Sequence, residues 1–142
     1  MAVSFKQQLG ALLIAGFMSL ASLPAWADYD RGMAAYEAGN YNVALMEFQD
    51  AAQAGNAAAQ YKLGEMYRLG QGTRPNLVEA IKWLTLAYLD GNRETLATLE
   101  MLRDSVSESE LVEAEQSALQ WLEQANRVVF ADDDTSVLYE QF

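Results

Sequence analysis

The 142-residue chain has no cysteine and no histidine. Without cysteine there are no disulfides, so burial alone must hold the fold together. The two absences together remove Cys-His and Ser-His-Asp nucleophilic arrangements, zinc sites of the usual kind and any histidine general base. Positive charge is also scarce: nine basic residues stand against 20 acidic ones, a formal net charge of −11. A phosphate polyanion would be repelled, so a nucleic-acid partner is not expected. An acidic surface of this kind suits a basic protein partner or a cationic ligand, and its blander meaning is solubility.

Residues 1–27 stand apart from the rest. Lys6 precedes the apolar run Leu9 to Leu20, which is followed by Pro24 and then Ala25-Trp26-Ala27, the pattern of a secretory signal peptide with an A-x-A cleavage site. Leu9 to Trp26 also approaches the ~18–20 apolar residues of a membrane-spanning helix. Pro24, the interrupting Ser19 and Ser22, and the small Ala25 and Ala27 favour cleavage over an uncleaved anchor. No cysteine follows to carry a lipid. The expected product, residues 28–142, is periplasmic or secreted and free of the membrane. It holds every acidic residue and every basic one except Lys6, and its length suits one domain of about three helical hairpins.

Within that product the chain repeats itself at a spacing of 36 residues: Ala44, Ala51, Ala52 and Gly55 are in register with Ala80, Ala87, Tyr88 and Gly91. Such a period marks stacked helical hairpins. Apolar spacing predicts helices over Tyr29 to Ala38 and Asn42 to Ala54, stopped by Gly39-Asn40 and Gly55. Asn56 caps a third helix carrying Ala59, Leu63, Met66, Tyr67 and Gly70 on one face. Gly64 inside it costs about 1 kcal/mol relative to alanine, which implies a close approach by another helix backbone. The stretch from Gly70 through Gly72 to Pro75 is a loop, and Asn76 caps a partner helix from Leu77 to Asp90 with Ala80, Ile81, Trp83, Leu84, Ala87 and Tyr88 on its apolar face. Asn92 to Asp104 begins a third unit in which Glu100 replaces Gly64. Ser107 and Glu110 form a capping box opening a capping helix over 107–130, with a seven-residue seam through Leu111, Ala118 and Ala125 and through Ala114, Trp121 and Val128. Residues 131–142 form an acidic tail, read as flexible.

The run Gly55-Asn56-Ala57-Ala58-Ala59-Gln60-Tyr61-Lys62-Leu63-Gly64-Glu65-Met66-Tyr67-Arg68-Leu69-Gly70-Gln71-Gly72, followed by Glu79-Ala80-Ile81-Lys82-Trp83 and Gly91, closely resembles the Sel-one-like repeat (SLR), a relative of the tetratricopeptide repeat. The resemblance is specific over 56–91, partial over 29–55 and weak over 92–104. Thr73-Arg74-Pro75-Asn76 departs from the Val and acidic residue that usually follow the second loop glycine. The segment from Ser107 through Trp121 is similar to the closing helix of small exported bacterial members. The resemblance implies an all-α, short right-handed α-solenoid of stacked antiparallel helix pairs, working as a protein-binding adaptor or regulator. The penicillin-type binding discussed for cysteine-rich members does not carry over to a chain without their staples.

In hairpin arrays the first helix of each pair lines the concave side. Tyr61, Lys62, Glu65 and Arg68, with Asp30, Ala34 and Glu37 one unit earlier, are therefore the candidate partner contacts, Tyr and Arg being enriched where interfaces draw their energy. Glu65 and Arg68 equally fit a solvated ion pair three residues apart. Leu63, Tyr67, Trp83, Leu84 and Tyr88 read as core, not as an aromatic ligand pocket. Asp132-Asp133-Asp134 with Glu140 lacks the glycine-containing loop of a calcium site, so neither a metal nor another cofactor is expected. The end Val137-Leu138-Tyr139-Glu140-Gln141-Phe142 is a candidate tail motif through Tyr139 and Phe142, for a groove that captures a C-terminal carboxylate or for folding back onto the array. Nothing marks Glu37, Glu65 and Asp30 as a tuned acid and base, so no enzyme is expected. The alternative to an adaptor is a non-specific envelope holdase or structural protein. A short array can also complete its groove as a homodimer.

Overall fold

A computed structural model describes residues 25–125 as six α-helices: α1 Ala25–Glu37, α2 Tyr41–Gln53, α3 Ala57–Leu69, α4 Leu77–Leu89, α5 Thr95–Arg103 and α6 Glu108–Gln124. Most of the expected signal segment, and the tail with Tyr139 and Phe142, lie outside the described residues. The Ala25-Trp26-Ala27 triplet falls in the first turn of α1. No described helix is long and apolar enough to cross a membrane.

One dipeptide, Gly-Asn, recurs at three helix boundaries and accounts for the hairpin geometry. Gly39, Gly55 and Gly91 have φ of 74°, 88° and 99°, a left-handed conformation that ends a helix cheaply only for glycine. After each, the amides of Gly and Asn return to the carbonyls of the helix just finished: Gly55 to Ala52 and Asn56 to Ala51, both at 3.0 Å, with the same pairings at Gly39-Asn40 and Gly91-Asn92. At two of the three boundaries the asparagine side chain then accepts from an amide at the start of the next segment, while Asn40 makes no such side-chain bond. Asn56 Oδ1 accepts from the Ala59 amide at 3.0 Å, and Asn92 Oδ1 from the Glu94 amide at 3.2 Å. Stop and start therefore share two residues, and consecutive helices turn sharply.

α1 packs on α2, α2 on α3 and α3 on α4, while α5 and α6 both pack on α4. The residues in register at 36 are the ones that make this packing close: Ala44, Ala51, Ala52, Ala80 and Ala87 are wholly buried. Their small side chains let helix axes approach, and Phe48, Leu63, Met66, Leu84 and Leu86 fill the space between. Gly64 meets α4 as its position in α3 predicts. A β-carbon there would lie 2.7 Å from Leu84 Cγ and 3.2 Å from the Ala80 carbonyl. Gln60 is also fully buried, and its Nε2 donates to the Ala52 carbonyl across the α2–α3 turn at 3.4 Å.

The last helix differs from the sequence expectation in two ways. It ends at Gln124 with Ala125 as an exposed C-cap, and the remaining residues assigned to it, 126–130, lie outside the described residues. Its buried seam is Ala114, Ala118 and Leu122, a spacing of four and not the expected seven. A heptad seam needs a partner helix that supercoils along the whole length. Here α6 packs on α4 through Ala114, Ala118 and Leu122, and Trp121 lies on a half-buried flank. There it meets Trp83 edge-on, with ring centroids 6.2 Å apart.

The capping box is present in full. Glu110 Oε2 accepts from the Ser107 amide at 2.8 Å and from its hydroxyl at 2.7 Å, and the Glu110 amide donates back to Ser107 Oγ. The bond from the Ser107 amide, then that from its hydroxyl, holds the Glu110 carboxyl below its ordinary pKa. A lowered folded-state pKa contributes stability that is complete above the ordinary glutamate range and lost as pH falls through the lowered value. Glu110→Gln is expected to flatten this part of the acid limb. Unfolding midpoints measured from neutral pH downward check it, and an acid limb identical to that of the parent chain contradicts it.

Candidate functional site

Helices α1 and α3 bring together most of the residues that the repeat pattern marks for partner contact. At positions 61, 62, 65 and 68 the side chains of α3 leave the buried stripe formed by Ala59, Leu63, Gly64 and Met66, and all four are half-buried. Arg68 grips the Glu65 carboxylate with two nitrogens, Nη2 at 2.6 Å and Nε at 3.1 Å. This two-point pairing fixes the guanidinium plane. Lys62 Nζ stands 5.3 Å from the ring centroid of Tyr36, a cation-π contact that links α3 to α1. Burial first, and then the nearby Glu65 and Glu94 carboxylates, raises the pKa of the Tyr61 hydroxyl above its ordinary value. It therefore stays a neutral donor at physiological pH.

Asp30 and Glu37, expected on the same face, are exposed positions of α1. Tyr36 of α1 joins this face through its ring contact with Lys62. Its ring also packs 5.2 Å from Tyr41 and 6.4 Å from Phe48, while its hydroxyl donates to Gln71 Oε1 at 3.1 Å. The α3–α4 loop is thereby tied to the first hairpin. Glu94, just before α5, is the other addition. Neither was legible from the 36-residue register, since Tyr36 acts through a ring face and Glu94 lies in a turn.

The residues assigned to the repeat framework occupy buried or turn positions. Ala59, Leu63 and Ala80 are wholly buried, Trp83 is 3% exposed, and Tyr67 is half-buried with its hydroxyl pKa raised chiefly by burial. Trp83 Nε1 donates to Glu79 Oε2 at 3.1 Å. Gly70 and Gly72 take φ of 70° and 73° in the loop. Between α4, α5 and α6 there is a cavity of about 30 Å³ lined by Ile81, Leu99, Leu111 and Leu119, far below the ~300 Å³ at which small-molecule pockets begin.

This arrangement, with paired helices, glycine stops and a half-buried face on the first helix of the pair, is repeated in known sequences. The family model described as Sel1 repeat matches residues 57–92 and again 112–127. The chain carries Sel1 repeats. The first match spans α3, the loop and α4 as one complete repeat. The second falls on α6, which the sequence reading set apart as a cap and which the family places within a repeat. A sel1-like repeat-containing protein of Acanthamoeba polyphaga mimivirus is 44% identical over 43 residues, 30% of this chain. The aligned segment spans only 7% of that relative's length. No solved structure matches the chain. Sel1 repeats generally mediate protein–protein interaction.

Proposed function

We propose that this Sel1-repeat chain is an exported adaptor or regulator that presents the α1–α3 face to a partner protein. The observation that carries this reading is the preorganised band of Tyr36, Tyr61, Lys62, Glu65 and Arg68. Tyrosine and arginine side chains already held by ring contacts and a two-point ion pair lose little freedom on binding. The affinity would reside in Tyr61 and Arg68. The acidic balance of the chain selects basic or weakly charged partner surfaces and speeds encounter. Export rests on the apolar run before Ala25-Trp26-Ala27, and cleavage after Ala27 would leave Asp28 in the first turn of α1, where a negative charge is favourable.

Affinity capture from envelope extract with the full chain, beside a bait carrying Tyr61→Ala and Arg68→Ala, tests the reading. One stoichiometric partner retained by the first bait and lost by the second is the expected result, with an association rate that falls as salt rises. Recovery of many unrelated proteins by both baits would favour the holdase reading. Of the large exposed apolar side chains among the described residues, only Val43 and Met46 share a helix, which is the apolar surface such a holdase would use first.

A further inference from the structure

A concavity of about 630 Å³ lies on the second helices of the pairs, α2 and α4, on the end of α3 and on α6. It shares α3 with the Tyr61 band but is lined by none of that band's residues. Its aromatic lining is Tyr67, Trp83 and Trp121. Trp83 is held by its bond to Glu79 and by the edge of Trp121. Gln49, Gln53 and Gln124 add amides to the lining, able both to donate to and to accept from a peptide backbone.

Gln124 and the C-cap Ala125 form one wall. The chain therefore leaves α6 at the edge of this groove with residues 126–142 still to run. The next five are Asn126-Arg127-Val128-Val129-Phe130, and extended chain reaches about 10–17 Å over three to five residues, so the apolar triplet begins within reach of the groove. Alternate residues of an extended segment point the same way, which pairs Val128 with Phe130. Arg127 is the only basic residue after Arg103, and the site it would enter carries Glu79 and Lys82, paired at 3.4 Å, on a net acidic array. Asp132-Asp133-Asp134 follow directly and are repelled by that array. The Sel1 repeat match itself runs through Arg127, past the end of α6.

We propose that this groove is the docking site of the chain's own segment 126–130, with Val128 and Phe130 seated against Trp121 and Tyr67 over Trp83, and the glutamines meeting the segment's backbone. The docked segment leaves the Tyr61 band for a partner.

The chain has three tryptophans, so the full chain carrying Trp26→Phe reports on Trp83 and Trp121 alone. Phe130→Asp in that background is expected to shift emission to the red and raise the acrylamide quenching constant about twofold as the ring edges gain water. Phe142→Asp should change neither. Because the chain has no cysteine, a Gln53→Cys, Phe130→Cys pair gives a second readout that is independent of any loss of fold. An intrachain disulfide under mild oxidation at micromolar protein is expected, with little bridging in a Gln53→Cys, Phe142→Cys pair. Unchanged quenching together with no intrachain bridge overturns the proposal. A response confined to the Phe142 variants overturns it in favour of the chain end, and a disulfide formed between chains overturns it in favour of a second copy.

Discussion

Gly72→Ala is expected to lower the unfolding midpoint by about 10–20 °C, because two independent costs meet at that residue. The first is conformational: φ is +73°, where a side chain costs ~1–2 kcal/mol. The second is steric. A β-carbon at Gly72 would lie 2.5 Å from the carbonyl oxygen of Tyr41 and 2.8 Å from its carbon. Both atoms are backbone at the start of α2 and cannot rotate aside, which adds ~1–3 kcal/mol. Gly39 supplies the matched control, with φ of +74° and nothing within 4 Å of an added β-carbon. Gly39→Ala should pay the conformational cost alone. Thermal unfolding of the two variants side by side isolates the contact between the α3–α4 loop and α2, and equal shifts would mean that this contact is not formed in solution.

Phe48→Ala is expected to cost about 3–5 kcal/mol, the usual range for deleting a buried aromatic ring. Phe48 is wholly buried, with Tyr29 and Tyr36 against it at ring-centroid distances of 5.7 Å and 6.4 Å. The sharper form of the prediction couples it to Gly32 on α1. The three atoms nearest a β-carbon at Gly32 all belong to the Phe48 ring, the closest two at 2.6 Å. In the parent chain Gly32→Ala therefore destabilises. With the ring removed, the same change fills space and recovers the helix preference of alanine over glycine, about 1 kcal/mol, so its sign reverses. Denaturant unfolding of the four members of this cycle is expected to give a coupling of ~1–3 kcal/mol. A coupling near zero would mean that α1 does not sit on Phe48.

Much of the architecture was legible in the sequence because the repeat writes it twice. Ala44 with Ala80 and Ala51 with Ala87 marked the close-packed stripes, and Gly55 with Gly91 marked the stops. The asparagines at 56 and 76 and the Ser107–Glu110 box announced helix starts through local hydrogen bonding, which needs no distant partner. Gly64 was legible as a close approach because nothing local repays a glycine inside a helix. The seam of α6 differs because Ala114 and Ala118, four apart, fit a heptad as well as a step of four, and only the identity of the facing helix separates the two. On the candidate face, Tyr61, Lys62, Glu65 and Arg68 followed from the register. Asp30 and Glu37 carry the same register onto α1 as exposed positions, and Tyr36 adds the ring contact to Lys62.

The sequence by itself determined most of the helix boundaries and, apart from α6, which stripe of each helix is buried, since capping, glycine stops and apolar spacing act within a few residues. Only the tertiary structure decided that the Gly70–Pro75 loop rests on the backbone of α2, that Gly32 makes room for Phe48, and that Trp83 and Trp121 line a groove at whose edge the chain leaves α6. Each of these joins residues distant in the chain, and their meeting is fixed by how whole helices stack, through volumes and contacts that no local pattern encodes.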